Sequence, residues 1–258
     1  MLGAIAGDVI GSVYERQRTK AKDFPLFSPG SRFTDDSVLT CAVADRLLHG
    51  GDYVRAFHEW FHAYPNAGYG GTFIRWAMIR QDQPYGSWGN GSAMRVSPVG
   101  WLAASLAEAV AEAKASAEVT HDHPEGIRGA QAVAACIHLA RSGHDQQAIR
   151  THVEREFAYR LDERLDDIRP VYRFDVSCQG SVPQSIIAFL ESDDWEDAVR
   201  NAVSLGGDAD TMAAIAGSIA EAFYGGVPDA IAVEVMQRLD EPLKRIVDAF
   251  RGRVSPAA

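Results

Sequence analysis

Apolar residues recur along this chain at helical spacing. Val38, Leu39, Ala42, Val43 and Leu47 share one face of a helix that Gly50-Gly51 stops after Leu48. The same spacing predicts helices over YVRAFHEWFHAY with Asp52 as cap, over VGWLAASLAEAVAEA with Pro98 in its first turn, and over EGIRGAQAVAACIHLAR after Pro124. Further on, Asp145 caps QQAIRTHVEREF, Pro183 opens QSIIAFLE, Asp194 caps WEDAVRNAVSL and Pro228 opens DAIAVEVMQRL. Only VYRFDV, at 171–176, alternates like a strand, and it is too short to outweigh the helices. The pattern therefore predicts an all-α fold. With no linker, repeat or shift in composition, residues 1–258 read as one compact helical domain, with SPAA at 255–258 as a frayed tail.

Composition narrows the function. A formal net charge of -10 disfavours stable binding to nucleic-acid phosphates, yet leaves room for a pocket that takes one small anionic ligand. Cys41, Cys136 and Cys178 are far apart and form no CxxC pair, which fits reduced thiols and a cytoplasmic setting. The stretch MLGAIAGDVIGSVYE has no basic n-region and reaches Asp8 before a signal-type apolar core could form. No apolar run approaches membrane-spanning length, so neither secretion nor membrane insertion is expected. We expect a monomer that turns over a small ligand in a cleft.

Two acidic segments supply candidate chemistry. In FTDDSVL, Thr34, Asp35 and Asp36 stand at a helix start; in GGDADT, Asp208, Asp210 and Thr211 do the same before a small-residue helix. Each could be an ordinary cap, since free N–H groups and the helix dipole favour acids there. Capping needs one acceptor, however, and together these segments carry four carboxylates and two hydroxyls. An all-oxygen set of that size suits a hard divalent cation such as Mg²⁺ or Mn²⁺, provided the two helix starts converge. A third segment, SWGNGSAMR, places Gly89-Asn90-Gly91 ahead of a helix, where backbone amides can approach a phosphate; it could equally be a simple turn. Tyr85 and Trp88 beside it could stack a purine or plug the core.

Taken together and in order, GDVIGSVYE, TDDS, GNGSAMR, THDHP and GGDADT resemble the ADP-ribosylglycohydrolase family, including dinitrogenase-reductase-activating glycohydrolase and the serine-ADP-ribose hydrolases. The resemblance spans most of the chain. It implies a compact all-helical fold with two Mg²⁺ or Mn²⁺ ions, and an ADP-ribosylated protein, nucleic acid or small molecule as substrate. By the same resemblance Thr34, Asp35 and Asp36 match one set of metal ligands, and Asp208, Asp210 and Thr211 the other. Glu15 matches the flap glutamate of the serine-linked and nitrogenase-reductase branches. Gly89, Asn90, Gly91, Ser92 and Met94 match the loop that cradles diphosphate and ribose, His121 matches a histidine near the substrate, and Gly207 of GGDADT goes with the substrate side. Trp88 stands where several relatives carry tyrosine, and Ser92 where some carry glycine.

The implied reaction is hydrolysis at the anomeric carbon of ADP-ribose through an oxocarbenium-like transition state, with Glu15 and Asp36 as the proton-handling carboxylates. Other readings compete. A non-catalytic ADP-ribose-binding module would keep the pocket without turnover, and a purely structural metal would raise stability alone. HEWFH, His58 to His62, fits the zinc-peptidase pattern HExxH, but Pro65 stands where the extended motif wants glycine. The HDH at 121–123 suggests an amidohydrolase pair, but Pro124 makes it a helix start; His138 and His152 read as isolated surface or core residues.

Overall fold

A computed structural model describes residues 1–254; the SPAA segment lies outside the described residues. Its elements are α1 (Leu2–Gly11), α2 (Asp35–His49), α3 (Tyr53–Ala63), α4 (Gly71–Met78), α5 (Gly91–Met94), α6 (Ser97–Leu102), α7 (Leu106–Glu118) and α8 (Pro124–Arg141). They continue with α9 (Gln146–Phe157), α10 (Leu165–Ile168), α11 (Cys178–Leu190), α12 (Trp195–Val203), α13 (Ala209–Tyr224), α14 (Asp229–Arg238) and α15 (Glu241–Val254). Among the described residues there is no strand, only an isolated antiparallel bridge between Gly89 and Ser177. Caps act where short polar side chains precede apolar periodicity. Asp52, Asp145 and Asp194 accept hydrogen bonds from the amides of Arg55, Ala148 and Asp197 at the starts of α3, α9 and α12.

The helices surround α13, which is buried from Ala209 through Ala220 and packs against α1, α8, α11 and α12. Its small side chains allow this. Gly3, Gly7 and Gly11, spaced by one turn along α1, leave no room for a side chain: a Cβ on Gly7 would sit 2.1 Å from the Ala213 carbonyl oxygen, and one on Gly11 2.5 Å from that of Ala209. Backbone thus meets backbone, and this close approach brings the acidic end of α1 beside the acidic start of α13.

Three sequence expectations need correction. The helix expected from Val99 through Ala113 is two, α6 and α7, because Ala103 is extended and Ser105 caps anew by accepting from the Glu108 amide at 3.2 Å. Glu108 in turn accepts from the Ala104 amide at 2.9 Å, so the S-x-x-E signature of a helix start was present inside the apparent run. Pro183 does not open α11 but lies inside it, behind a cap in which Ser177 accepts from the Gly180 amide. The carbonyl that Pro183 leaves without its usual partner belongs to Gln179, which is exposed to water. Residues 171–176 form a loop, not a strand, and its Val176 carbonyl accepts from the Asn90 amide at 2.8 Å.

Candidate active site

Three segments, the turn after α1 and the starts of α2 and α13, contribute acids to one wall of a pocket of about 670 Å³. Asp8, in the last turn of α1, is fully buried, and its carboxylate accepts from the Thr34 amide at 2.9 Å and hydroxyl at 2.6 Å. It also accepts from the Ser37 amide at 3.1 Å and from the Ser37 hydroxyl. Asp8 therefore ties α1 to the first turn of α2, using donors that every helix start leaves free. Thr34, the α2 cap, has its hydroxyl committed to Asp8 and turned towards the Asp36 amide.

Around that joint the carboxylates gather. Oxygens of Asp8, Asp36 and Asp210 lie within 4.8 Å of one another, as do those of Glu15, Asp208 and Asp210, so Asp210 belongs to both groups. The Thr211 hydroxyl lies 3.3 Å from Asp36 Oδ2 and 3.8 Å from the Met94 sulfur. Asp35 stands beside these groups on the pocket wall; its amide donates to the Ala67 carbonyl, and a Cβ on Gly68, whose φ is +121°, would come within 3.2 Å of its Oδ1. Burial raises the carboxyls of Asp36 and Asp210 well above the ordinary range, and like charge adds to it: Asp210 acts on Asp36, and Asp208 on Asp210. Burial and then Asp8 push Asp35 to about 8; burial pushes Asp208 to about 6, against a 2.8 Å hydrogen bond from Asn90.

Glycine and histidine line the pocket beside the acids. Gly89, Asn90 and Gly91 lead into α5, with Asn90 bridging from Ser181 to Asp208 across the pocket floor. The His121 ring lies over this turn, its Nε2 only 3.1 Å from where a Cβ on Gly91 would be, so a larger residue at 91 would require the ring to give way. The uncapped start of α4 follows Gly70 and lines the pocket together with Gly68 and Gly71.

Not every residue expected at the site faces it. Trp88 is 53% exposed, with its ring edge-on to His123, and does not line the pocket. Ser92 is buried the other way and donates to the Gly126 carbonyl of α8 at 2.6 Å. Gly207 packs under Tyr172, where a Cβ would meet the ring at 2.4 Å. Glu15, Thr34, Asp35, Asp36, Asp208, Asp210 and Thr211 do line the pocket, as do Gly89, Asn90, Gly91, Met94 and His121.

The order of these features along the chain matches a known family model, that of ADP-ribosylglycohydrolase, over residues 1–256. The chain belongs to the ADP-ribosylglycohydrolase family. It is 28% identical to the ADP-ribosylhydrolase ARH3 of Mus musculus over 87% of its length and 82% of that protein. It is 27% identical to the ADP-ribosylarginine hydrolase Tri1 of Pseudomonas putida (strain GB-1), over 88% of its length and 71% of that protein. A solved chain described as an ADP-ribosylglycohydrolase-related protein complex shares its fold, with a TM-score of 0.69 at 22% identity, covering 98% of this chain and 97% of the other.

Within that family's fold, the acid wall fits divalent cations on its own chemistry. Among the described residues no lysine, arginine or histidine pairs with Asp8, Asp35, Asp36, Asp208 or Asp210, and Asp36 Oδ1 is buried without any hydrogen-bond partner. Buried carboxylates packed this closely without a cation are costly, and hard cations with oxygen ligands remove that cost.

The HEWFH segment, by contrast, is structural. His58 Nε2 lies 3.1 Å from the Gln81 carbonyl, its ring stacks on Trp76 at 4.2 Å, and Glu59 pairs outward with Arg55. The HDH segment is taken up locally too, since Asp122 accepts from the Gly86 amide and His123 from the Glu125 amide. Asp8, the glycines at 68, 70 and 71 and Arg95 were not among the residues expected at the site, yet all bear on the pocket or its acids, and Tyr85, expected to stack a purine or plug the core, lines the pocket. Asp8 stood in the quoted GDVIGSVYE segment, where an acid in an otherwise apolar helix was the signal.

Proposed function

We propose that this protein is a metal-assisted hydrolase that releases ADP-ribose from a modified acceptor. The carrying observation is the meeting of five acids from three distant segments in a pocket also lined by a glycine turn and a buried histidine. Its names among relatives, ADP-ribosylhydrolase and ADP-ribosylarginine hydrolase, point to the same chemistry.

In this reading Asp8, Asp36, Asp208 and Asp210, with Asp35, Thr34 and Thr211, are the residues that would hold the divalent cations. When bound, Mg²⁺ or Mn²⁺ polarises ribose hydroxyls and lowers the pKa of water. The glycine turn at 89–91 receives the diphosphate, and Asn90 holds Asp208 in place for it. Glu15, at the edge of the acids, handles the proton at the scissile bond, while Asp36 orients the attacking water. Water adds at the anomeric carbon, the bond to the acceptor nitrogen or oxygen breaks, and a proton passes to the leaving atom.

The test is a panel of serine-, arginine- and acetyl-ester-linked ADP-ribose, assayed with Mg²⁺ or Mn²⁺ and after EDTA. Glu15→Gln and Asp36→Asn should each lose about 10²-fold or more in kcat on whichever linkage is cleaved, with the fold retained. Wild-type turnover in folded Asp36→Asn would refute the reading, and saturable ADP-ribose binding without turnover of any linkage would replace it with a binding module.

A further inference from the structure

A fully buried arginine behind the glycine turn has no counter-ion. Arg95, at the end of α5, donates from Nη2 to the Ser116 carbonyl at 2.9 Å and to the Thr120 hydroxyl at 2.8 Å. Its guanidinium lies over the Phe57 ring at 4.1 Å, and its Nε and Nη1 have no hydrogen-bond partner. The Thr120 hydroxyl in turn lies 2.8 Å from His121 Nδ1.

The protons along this chain have fixed directions. Arginine can only donate, so Thr120 Oγ1 accepts from it and has its own proton to give. Besides Arg95, that hydroxyl has the Tyr85 phenol beside it and His121 Nδ1 at 2.8 Å; with the phenol and the guanidinium both donating to it, its proton goes to Nδ1, which then carries a lone pair. The guanidinium beyond it favours the same arrangement, because an N–H dipole aimed at a buried cation is repelled. Burial and Arg95 also hold the imidazole well below its ordinary pKa, so the ring is neutral. One proton is left for it, on Nε2, the nitrogen that faces Gly91 and Gly89.

We propose that Arg95 and Thr120 are positioning residues that lock His121 as the Nε2–H tautomer, so that it presents a fixed N–H donor to a phosphoryl oxygen held in the glycine turn. The ligand half of this statement rests on the function proposed above; the tautomer does not. An imidazole free to exchange tautomers would present a lone pair to the phosphate part of the time, and a charged one would need desolvation beside a buried guanidinium. The relay removes both alternatives before the ligand arrives.

Nitrogen-15 spectra of the ligand-free protein read the tautomer directly, with His121 assigned by the signal missing from His121→Gln. Wild type and Thr120→Ser should show a neutral ring protonated at Nε2 across neutral pH, and Thr120→Val should lose that preference. Calorimetry with ADP, which carries the diphosphate without the terminal ribose, should give about tenfold weaker binding for Thr120→Val and recovery in Thr120→Ser, as one hydrogen bond is worth. A ring protonated at Nδ1 in the wild type overturns the relay, as does a Thr120→Val protein with unchanged spectrum and affinity. If wild type binds neither ADP nor ADP-ribose, the ligand assignment falls while the ring spectrum still judges the relay. That spectrum decides the matter even where Thr120→Val does not fold.

Discussion

Asp8 shows how one side chain can hold a site together from within an apolar helix. Its carboxylate takes two amides and two hydroxyls from the start of α2 while standing within 4.8 Å of Asp36 and Asp210. In saturating Mn²⁺, Asp8→Ala should cost about 3 kcal/mol by leaving buried amides unpaired, seen as a fall in Tm of roughly 6–12 °C, and should weaken Mn²⁺ binding in the same protein. An unchanged Tm would mean that water replaces the carboxylate. The acids of TDD and GGDADT were legible because each segment has more oxygens than a cap can use. Asp8 was not, since its partners lie 26 and 29 positions away and no local rule relates them. Trp88 and Ser92 lie off the pocket: they share a motif with Asn90, but neighbours in a turn point to different sides of it.

Between elements, the spacing of α1 and α13 decides where the acids meet. Gly7 lets the backbones touch, and an added methyl there has no space, since both the Ala213 carbonyl and the following amide are backbone atoms that cannot move aside alone. Gly7→Ala should therefore push α1 away from α13, lowering stability by about 2 kcal/mol and weakening divalent-cation binding, although residue 7 touches no ligand. Thermal melts and Mn²⁺ titration would read both effects. A variant less stable but with wild-type Mn²⁺ affinity would separate packing from site geometry and defeat the link. The helices themselves were largely readable from period and caps, as at Asp52, Asp145 and Asp194. Where reading failed, a rule was applied alone: Pro183 was given its favoured first-turn place although Ser177 offered a better cap, and the Ser105 to Glu108 signature was lost within an apolar run.

Across the molecule, acids buried around one pocket tie stability to pH and to cations. A carboxyl whose folded pKa lies above its unfolded value binds protons more tightly when folded, so its contribution is fully present below the unfolded value and is lost as pH rises through the folded one. For Asp35 that window runs from about 3.8 to about 8, and for Asp208 from about 3.8 to about 6. Protein stripped of divalent ions should thus lose Tm steadily between these limits. Added Mg²⁺ or Mn²⁺ should raise Tm more at pH 8 than at pH 6, because the ligands must be deprotonated to bind. A flat Tm profile in EDTA would show that the acids are relieved in some other way. The sequence was enough to specify helices, their caps, the excess of acids at two helix starts and membership of a family, because period, capping and motif order are properties of neighbouring residues. Convergence was settled in three dimensions: the recruitment of Asp8 and Glu15, the outward turn of Trp88, and the chain from Arg95 through Thr120 to His121. Each of these depends on which backbones can approach, and that is fixed by packing around α13 between segments as much as 200 positions apart.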